Sequence, residues 1–341
     1  MSGSKVRLAL LVTAACSASP PLAELTIAEK RAEDGDTDGA ITAYHEAQRT
    51  CQQLTPPRRA RQACADALLG EAETLEHADR IPAAIEAYLA IPGKALGDPS
   101  TSAIATLRAG ELFRRQHNVP AAAAALWRVV TTWPDEAPAT DAVRSVVSLE
   151  RSGDLPALVV RLRGLLGTLA RTAVHDNVQW VLADLAEHEL ADPAGARAYY
   201  DAIYREHPNS GLRDDARWHA ARLARSLGDA KGAADRLRGL LATREVAFGA
   251  GSYFSIWLDD AQLELGKVLR DDLKDLPGAA AAFAQLPRDY PASILRDDAL
   301  YELALTHERA GRHDRACATL ATLRAQTPAS KYLARDEVRC E

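Results

Sequence analysis

The sequence predicts an all-α fold, a right-handed α–α superhelix (a solenoid) of about eight helical hairpins. One spacing of small, large and proline residues occurs four times, with steps of 74, 83 and 37 residues between copies. Such self-similarity is typical of solenoids, in which each hairpin packs against its neighbours. Aromatic residues make up only 5% of the chain, and no alternating β-branched run is long enough to predict a sheet. The four copies are Ala122, Leu126, Val129 and Pro134; Ala196, Tyr200, Ile203 and Pro208; Ala279, Phe283, Leu286 and Pro291; and Ala316, Leu320, Leu323 and Pro328.

The recurring spacing describes the second helix of a hairpin. Relative positions 0, 4 and 7 fall on one stripe of a helix, and the proline at position 12 ends that helix. A small alanine allows two helix backbones to approach, while the larger residue four positions later fills the groove beside it. Upstream of each copy lie a second amphipathic segment and a turn. The turns include Asp34–Gly35, Gly228–Asp229 and Gly311–Arg312.

The remaining hairpins can be assigned by comparing their residues with the same template. Hairpin 4, over residues 138–171, is degenerate because Leu158 stands where alanine is expected, and hairpin 7 begins with an irregular stretch over residues 246–260. Eight hairpins are predicted from about Leu22 to Pro328, with a terminal capping helix from Ala329. The remaining template residues are Ala40, Tyr44 and Ala47 in hairpin 1; Ala84, Tyr88 and Ile91 in hairpin 2; Gly110 and Phe113 in hairpin 3; and Trp180 in hairpin 5. This pattern resembles the tetratricopeptide repeat (TPR) family, whose motif combines a small residue, a glycine turn, an alanine, an aromatic residue and a closing proline.

A local repeat marks the boundaries between hairpins. Residues 208–216 and 291–299 share a Pro-x-Ser-x-Leu-Arg-Asp-Asp-Ala pattern and differ at two of nine positions. The proline ends one helix, the serine can cap the next, and the aspartates at 214/215 and 297/298 lie in its first turn, where they suit the helix dipole. Metal or acid–base chemistry is the alternative for these aspartate pairs. Capping is favoured because both pairs recur at the same helix start.

The N-terminus resembles an export signal. Lys5 and Arg7 precede an apolar run, residues 8–15, that is too short to span a bilayer. Residues 1–15 are therefore predicted to be a signal peptide, Cys16 a lipidation site and residues 16–21 a flexible tether, because Thr13-Ala-Ala-Cys16 resembles the bacterial lipoprotein box. Cleavage at an Ala-x-Ala-like site and a free cytoplasmic cysteine are the alternatives. Ser17 after the cysteine, where an aspartate would signal otherwise, favours the outer membrane. We therefore expect a lipid anchor on the periplasmic side of the outer membrane, with a soluble periplasmic protein as the alternative.

Charge argues against a nucleic-acid partner. The chain has 41 basic and 47 acidic residues, a net charge of −6. Loss of Lys5 and Arg7 with the signal peptide leaves 39 basic residues and a net charge of −8. No basic cluster is long enough to track a phosphate backbone.

Cysteine usage fits export to an oxidising compartment. Besides Cys16, the chain has Cys51, Cys64, Cys317 and Cys340, which form two sequence-local pairs, each straddling a predicted hairpin turn. We expect the disulfides Cys51–Cys64 and Cys317–Cys340, with buried free thiols as the alternative.

The sequence contains no motif for catalysis, a cofactor or a metal. Dinucleotide-binding, phosphate-loop, zinc-protease and nucleophile-elbow patterns are all missing, so we predict a non-catalytic protein. The aromatic residues of segment 248–257, which are Phe248, Tyr253, Phe254 and Trp257, form either a binding loop or part of the helix packing.

The C-terminal repeats look like those of bacterial envelope TPR proteins, such as the lipoprotein of the β-barrel assembly machine and the Tol–Pal coordinator. The chain differs from the first in having more hairpins and from the second in lacking an N-terminal coiled coil. The resemblance implies a scaffold that binds a protein or peptide along the concave face of the solenoid, with an accessory subunit of a cell-wall enzyme as the alternative. The residues expected to face that groove are Arg114, Trp218, Arg222, Arg225 and Tyr301. The alternative is that Arg222 and Arg225 are merely solvated and that Trp218 is packed between repeats.

Overall fold

The protein is built from helices that pack on their neighbours in sequence. The computed structural model describes residues 23–53, 58–94, 98–243, 255–335 and 337–340. Over these ranges the chain forms sixteen α-helices and no β-strand. The predicted fold class, an all-α TPR-like solenoid of about eight hairpins, is confirmed. The predicted signal peptide and tether, residues 1–21, lie outside the described ranges.

The chain divides into two compact units at Leu149/Glu150, inside the degenerate fourth repeat. Unit 1 contains α1 (Ala23–Glu33), α2 (Thr37–Gln53), α3 (Arg58–His77), α4 (Ile81–Lys94), α5 (Pro99–Arg115), α6 (Val119–Thr132) and α7 (Pro138–Glu150). Unit 2 contains α8 (Leu155–Thr168), α9 (His175–His188), α10 (Pro193–Glu206), α11 (Arg213–Ser226), α12 (Ala230–Leu241), α13 (Leu258–Lys267), α14 (Leu276–Asp289), α15 (Arg296–Arg309) and α16 (His313–Gln326). Odd-numbered helices are the first helices of hairpins, and even-numbered helices are the second. A π-helical turn, Val268–Asp272, extends α13.

Turns within hairpins need a residue in the left-handed backbone region. Glycine meets this need at Gly35, Gly228 and Gly311, with φ values of 79°, 80° and 68°. Asp79, His117, Ala191 and Lys274 adopt the same conformation without being glycine. After the turn, an aspartate or asparagine caps the second helix in several hairpins, as Asp229 does by accepting from the backbone N–H of Gly232. The turn glycines and the capping residues that follow them are the sequence features that predicted the hairpin turns.

The template residues form the core of each hairpin. Ala196, Tyr200 and Ile203 on α10 are buried, as are the equivalent residues of α14. A Cβ atom added to Gly266 on α13 would lie 2.4 Å from the ring of Phe283, so only glycine fits against that ring. Burying an aromatic side chain of this size contributes about 2–3 kcal/mol to stability.

The C-terminal end differs from the predicted capping helix. After α16, the described residues contain only a one-turn 3₁₀ helix, Lys331–Ala334. The Tyr332 ring of this turn packs against the hairpin formed by α15 and α16. In the described part of the chain, no helix is both long and apolar enough to cross a membrane.

Candidate functional site

Two clefts lie between successive first helices of unit 1. The α5–α7 cleft has a volume of about 530 Å³. Arg114 on α5 and Arg144 on α7 are both exposed at this cleft, and no acidic residue is among those that line it. The complete lining is Arg114, His117, Val119, Arg144, Ser145, Ser148 and Leu149. The cleft is therefore a locally positive groove, with the exposed Val119 as an apolar contact, in an acidic protein.

The α1–α3 cleft has the opposite character. Its volume is about 490 Å³, and Glu29, Glu33 and Glu73 all contribute to its lining. Burial raises the pKa of the Glu73 carboxyl, and the nearby Arg108 partly offsets that effect. Tyr44 and Gly70 form the floor, where a Cβ on Gly70 would lie 2.5 Å from the tyrosine ring. Unit 1 thus presents a negative cleft and a positive cleft, each between two first helices.

Arg114, which the repeat template predicts to face the groove, lines the α5–α7 cleft. Its partner in the α5–α7 cleft, Arg144, was not predicted. Arg144 lies in hairpin 4, where the template alanine is missing, so the template gave no register for α7. The 30-residue separation of the two arginines is shorter than the repeat length of about 37 residues. A register that allowed a shorter repeat would have aligned them.

The structure does not place Trp218 and Tyr301 on a free surface. Trp218 is 8% exposed and stacks on Trp257, with 5.2 Å between ring centroids. Tyr301 is 3% exposed and stacks on Tyr332 at 4.4 Å. Each ring belongs to the first helix of a hairpin. Trp218 contacts a residue just before α13, and Tyr301 contacts a residue of the 3₁₀ turn after α16. Their apolar area stabilises the contact between consecutive repeats, so neither ring is available to a partner in this structure.

The two arginines predicted beside Trp218 have different environments. Arg225 on α11 donates to Glu264 at 2.6 Å and to Asp272 at 2.7 Å, and thereby joins hairpin 6 to hairpin 7. Arg222 is exposed. Two carboxylates neutralise Arg225, so its charge is not available to a partner in this structure.

The boundary aspartates and serines form contacts between repeats that the sequence did not predict. In four hairpins, the second residue of the first helix is an aspartate that accepts a hydrogen bond from a serine located after the second helix of the same hairpin. The contacts are Ser210 to Asp176 at 2.5 Å, Ser293 to Asp259 at 2.6 Å, and Ser330 to Asp297 at 2.8 Å, and Ser255 bonds Asp214 in the same way. We call these four contacts the serine–aspartate ladder.

Each ladder serine also holds its own turn. Its hydroxyl oxygen accepts from the backbone N–H two residues later, as Ser293 does from Leu295 at 3.0 Å. The prediction that the serine caps the next helix is wrong for α11 and α15, which have no side-chain cap; Ser210 and Ser293 close the turn before the helix instead. In the pairs 214/215 and 297/298, the second aspartate also accepts a hydrogen bond from the segment that follows its hairpin. Asp215 accepts from the indole N–H of Trp257 at 2.5 Å, and Asp298 accepts from the hydroxyl of Tyr332.

The cysteines lie in the two terminal regions. Cys51 is bonded to Cys64 and Cys317 to Cys340, with Cα–Cα distances of 5.7 and 5.5 Å. The first disulfide joins α2 to α3, and the second joins α16 to the segment after the 3₁₀ helix. Cys16 lies outside the described residues. Of the aromatic segment, only Trp257 is described, and it belongs to the packing between hairpins 6 and 7.

Comparison with known proteins identifies repeats in the C-terminal region. Residues 260–293 and 298–330 match the family model described as tetratricopeptide repeat. These stretches cover most of the hairpins α13–α14 and α15–α16. No curated protein matches the chain.

Several solved structures are similar at low identity. The C-terminal part of a TPR repeat-containing protein from Cytophaga hutchinsonii is 14% identical, with coverage of 81% of this chain and 99% of that chain and a TM-score of 0.45. The Naa15/Naa10 complex bound to HypK-THB is 13% identical, with coverage of 91% and 44% and a TM-score of 0.44. PilW, described as a type IV pilus biogenesis factor, is 15% identical, with coverage of 79% and 96% and a TM-score of 0.37.

The regular hairpins, the family match and the boundary contacts agree with one another. Residues 260–293 and 298–330 match the tetratricopeptide repeat model, and the described hairpins have an all-α repeat fold of the TPR type.

Proposed function

We propose that this protein is a non-catalytic scaffold of the bacterial cell envelope that binds a protein partner on the first-helix face of unit 1. The observation that carries the proposal is the pairing of Arg114 and Arg144 in the α5–α7 cleft. Both side chains are exposed in a groove without an acidic lining residue. Solenoid repeats commonly use the face lined by their first helices to bind extended segments or helices of partners.

Charge gives the partner segment its chemistry. The α5–α7 cleft suits an acidic segment with an apolar residue for Val119, and the α1–α3 cleft suits a basic one. Complementary charges of this kind steer association and fix the orientation of a partner more than they add affinity. Exposed ion pairs contribute about 0.2–1 kcal/mol each, so the two arginines together account for a change in affinity of about 2- to 30-fold.

Charge reversal at the cleft tests the proposal. We expect the Arg114→Glu/Arg144→Glu variant to lose the partner in a pull-down from solubilised envelope while its circular dichroism and unfolding midpoint stay those of the wild type. The matched control is Arg49→Glu/Arg61→Glu, which changes the net charge equally at exposed sites on α2 and α3. Equal recovery of partners with all three proteins would contradict this site.

The envelope location rests on the N-terminal sequence and the cysteines. Lys5, Arg7 and the apolar run before Cys16 support export and lipidation, and disulfides are typical of oxidising compartments. Attachment of more than one acyl chain would hold the protein stably at the membrane. Labelled palmitate should enter the wild-type protein but not the Cys16→Ala variant. Absence of label from both proteins would refute the lipid anchor without affecting the cleft.

A further inference from the structure

Two histidines and a glutamate converge at one end of hairpin 5. Nδ1 of His175 lies 2.8 Å from Nε2 of His207, and a carboxylate oxygen of Glu206 lies within 4.8 Å of both ring nitrogens. His175 is the first residue of α9, whereas Glu206 and His207 end α10. The cluster therefore lies opposite the hairpin turn, where the start of the first helix meets the end of the second.

We propose that His175, His207 and Glu206 form a binding site for one divalent transition-metal ion of the zinc class. Two imidazole nitrogens and one carboxylate oxygen are a ligand set that zinc uses when its fourth position is taken by water or another group. Zinc–ligand bonds of about 2.0–2.2 Å place tetrahedral ligands about 3.3–3.6 Å apart. The two ring nitrogens must separate by about half an ångström, and the carboxylate must move closer by about 1 Å. Side-chain rotation of the half-buried His207 and the exposed Glu206 supplies both movements.

The groups behind the ligands already orient them. The backbone carbonyl of Leu166 accepts a hydrogen bond from the buried His175 ring. A hydrogen bond of this kind fixes the orientation of the ring, whose Nδ1 faces His207. Gln179 donates to the Glu206 carboxylate at 2.9 Å. Outer-shell partners of these two kinds are regular features of metal sites.

The exposed Arg205 donates to one carboxylate oxygen of Glu206 at 2.6 Å, and Gln179 donates to the other. A bound metal ion would share the second oxygen with Gln179, because a carboxylate oxygen has two lone pairs.

A metal at this position would close hairpin 5 at its open end. It would also hold Asp176, the neighbour of His175, which accepts the ladder contact from Ser210. The fourth position faces the solvent beside His207 and Glu206, where water or a side chain of another protein has access. Sequence motifs did not indicate this site, because 32 residues separate the two histidines and no short ligand spacing occurs.

Titration of the purified full-length chain with Zn²⁺, without a histidine tag and after removal of metals, tests the proposal. We expect one Zn²⁺ per chain by calorimetry, a higher unfolding temperature with Zn²⁺ but not with Mg²⁺, and visible absorption typical of tetrahedral Co²⁺. His207→Gln should weaken Zn²⁺ binding at least tenfold, and Gln179→Ala by about tenfold. His207→Gln is preferred to a change at His175 because the buried His175 ring also supports the fold.

The control is His188→Gln, which removes an exposed histidine that lies beside Asp184. This variant should keep wild-type affinity and the wild-type Co²⁺ spectrum. The proposal is overturned if Zn²⁺ does not bind, if His207→Gln binds as tightly as the wild type, or if His188→Gln loses as much affinity as His207→Gln. Because none of these residues belongs to the α5–α7 cleft, failure here leaves the proposed partner site unaffected.

Discussion

The serine–aspartate ladder predicts a measurable cost for losing one hydroxyl group. Ser293 lies between α14 and α15, and its hydroxyl donates to the Asp259 carboxylate at 2.6 Å. Hydrogen bonds to charged groups contribute about 1.5–3 kcal/mol, and removal of one partner leaves the other poorly solvated. Asp259 is only half-buried and keeps its bond from the backbone N–H of Asp260. We therefore expect Ser293→Ala to lower the free energy of unfolding by about 1.5 kcal/mol, the lower end of that range.

Urea unfolding followed by circular dichroism measures this cost. The midpoint should fall while the slope m stays constant, because the same surface is exposed on unfolding. Ser226→Ala is the matched control, since that hydroxyl bonds only the Leu223 carbonyl of its own helix. A double-mutant cycle of Ser293→Ala with Asp259→Ala should give a coupling energy of about 1 kcal/mol. A loss no greater than that of the control, or a coupling energy near zero, would refute the ladder as a stabilising contact.

Three further changes test the turns, the ion pairs and the disulfides. Gly228→Ala should destabilise the protein by about 1–2 kcal/mol, because φ is +80° there although the space is open, whereas Gly211→Ala, without that φ, should not; equal urea midpoints would contradict the strain argument. Hydrogen bonds from Arg270 and Arg309 lower the pKa of Asp271 to about 2, so its contribution to stability is complete above pH 4 and is lost as the pH falls from about 4 to about 2; Asp271→Asn should flatten acid unfolding in that window, and an unchanged curve would refute this. Reducing Cys317–Cys340, which closes a 23-residue separation, should cost about 3 kcal/mol, measured as the difference in urea unfolding between the wild type and Cys340→Ser; equal stability would contradict it.

The sequence predicted the parts of the fold that depend on local pattern. Ala196, Tyr200 and Ile203 were assigned to one buried stripe because their spacing matches a helix face, and all three are buried. Gly228 was assigned to a turn because glycine often adopts the left-handed conformation, and it has that φ. Features of this kind involve residues within one or two helical turns of each other, so periodicity identifies them.

Contacts between repeats were harder to predict. The repeat template predicted that Trp218 faces the groove. The template did not distinguish the groove from the surface of α11 that contacts the next repeat. The distinction depends on Trp257, 39 residues later, and on the rotation between hairpins. Arg144 was missed because its repeat is degenerate, and the His175–His207 pair because its spacing matches no local motif. Residues paired across repeats are set by superhelix geometry, which the repeat length alone does not specify.

Photo-crosslinking in the living cell tests the proposed binding site most directly. A photoreactive residue at Ser148, inside the α5–α7 cleft, should capture one defined protein, and the same residue at Ala90, exposed on the second helix α4, should not. We expect the Arg114→Glu/Arg144→Glu variant to lose the Ser148 crosslink and the Arg49→Glu/Arg61→Glu variant to keep it. A Ser148 crosslink that survives the cleft reversal, or one reproduced equally from Ala90, would contradict a scaffold that binds its partner between α5 and α7.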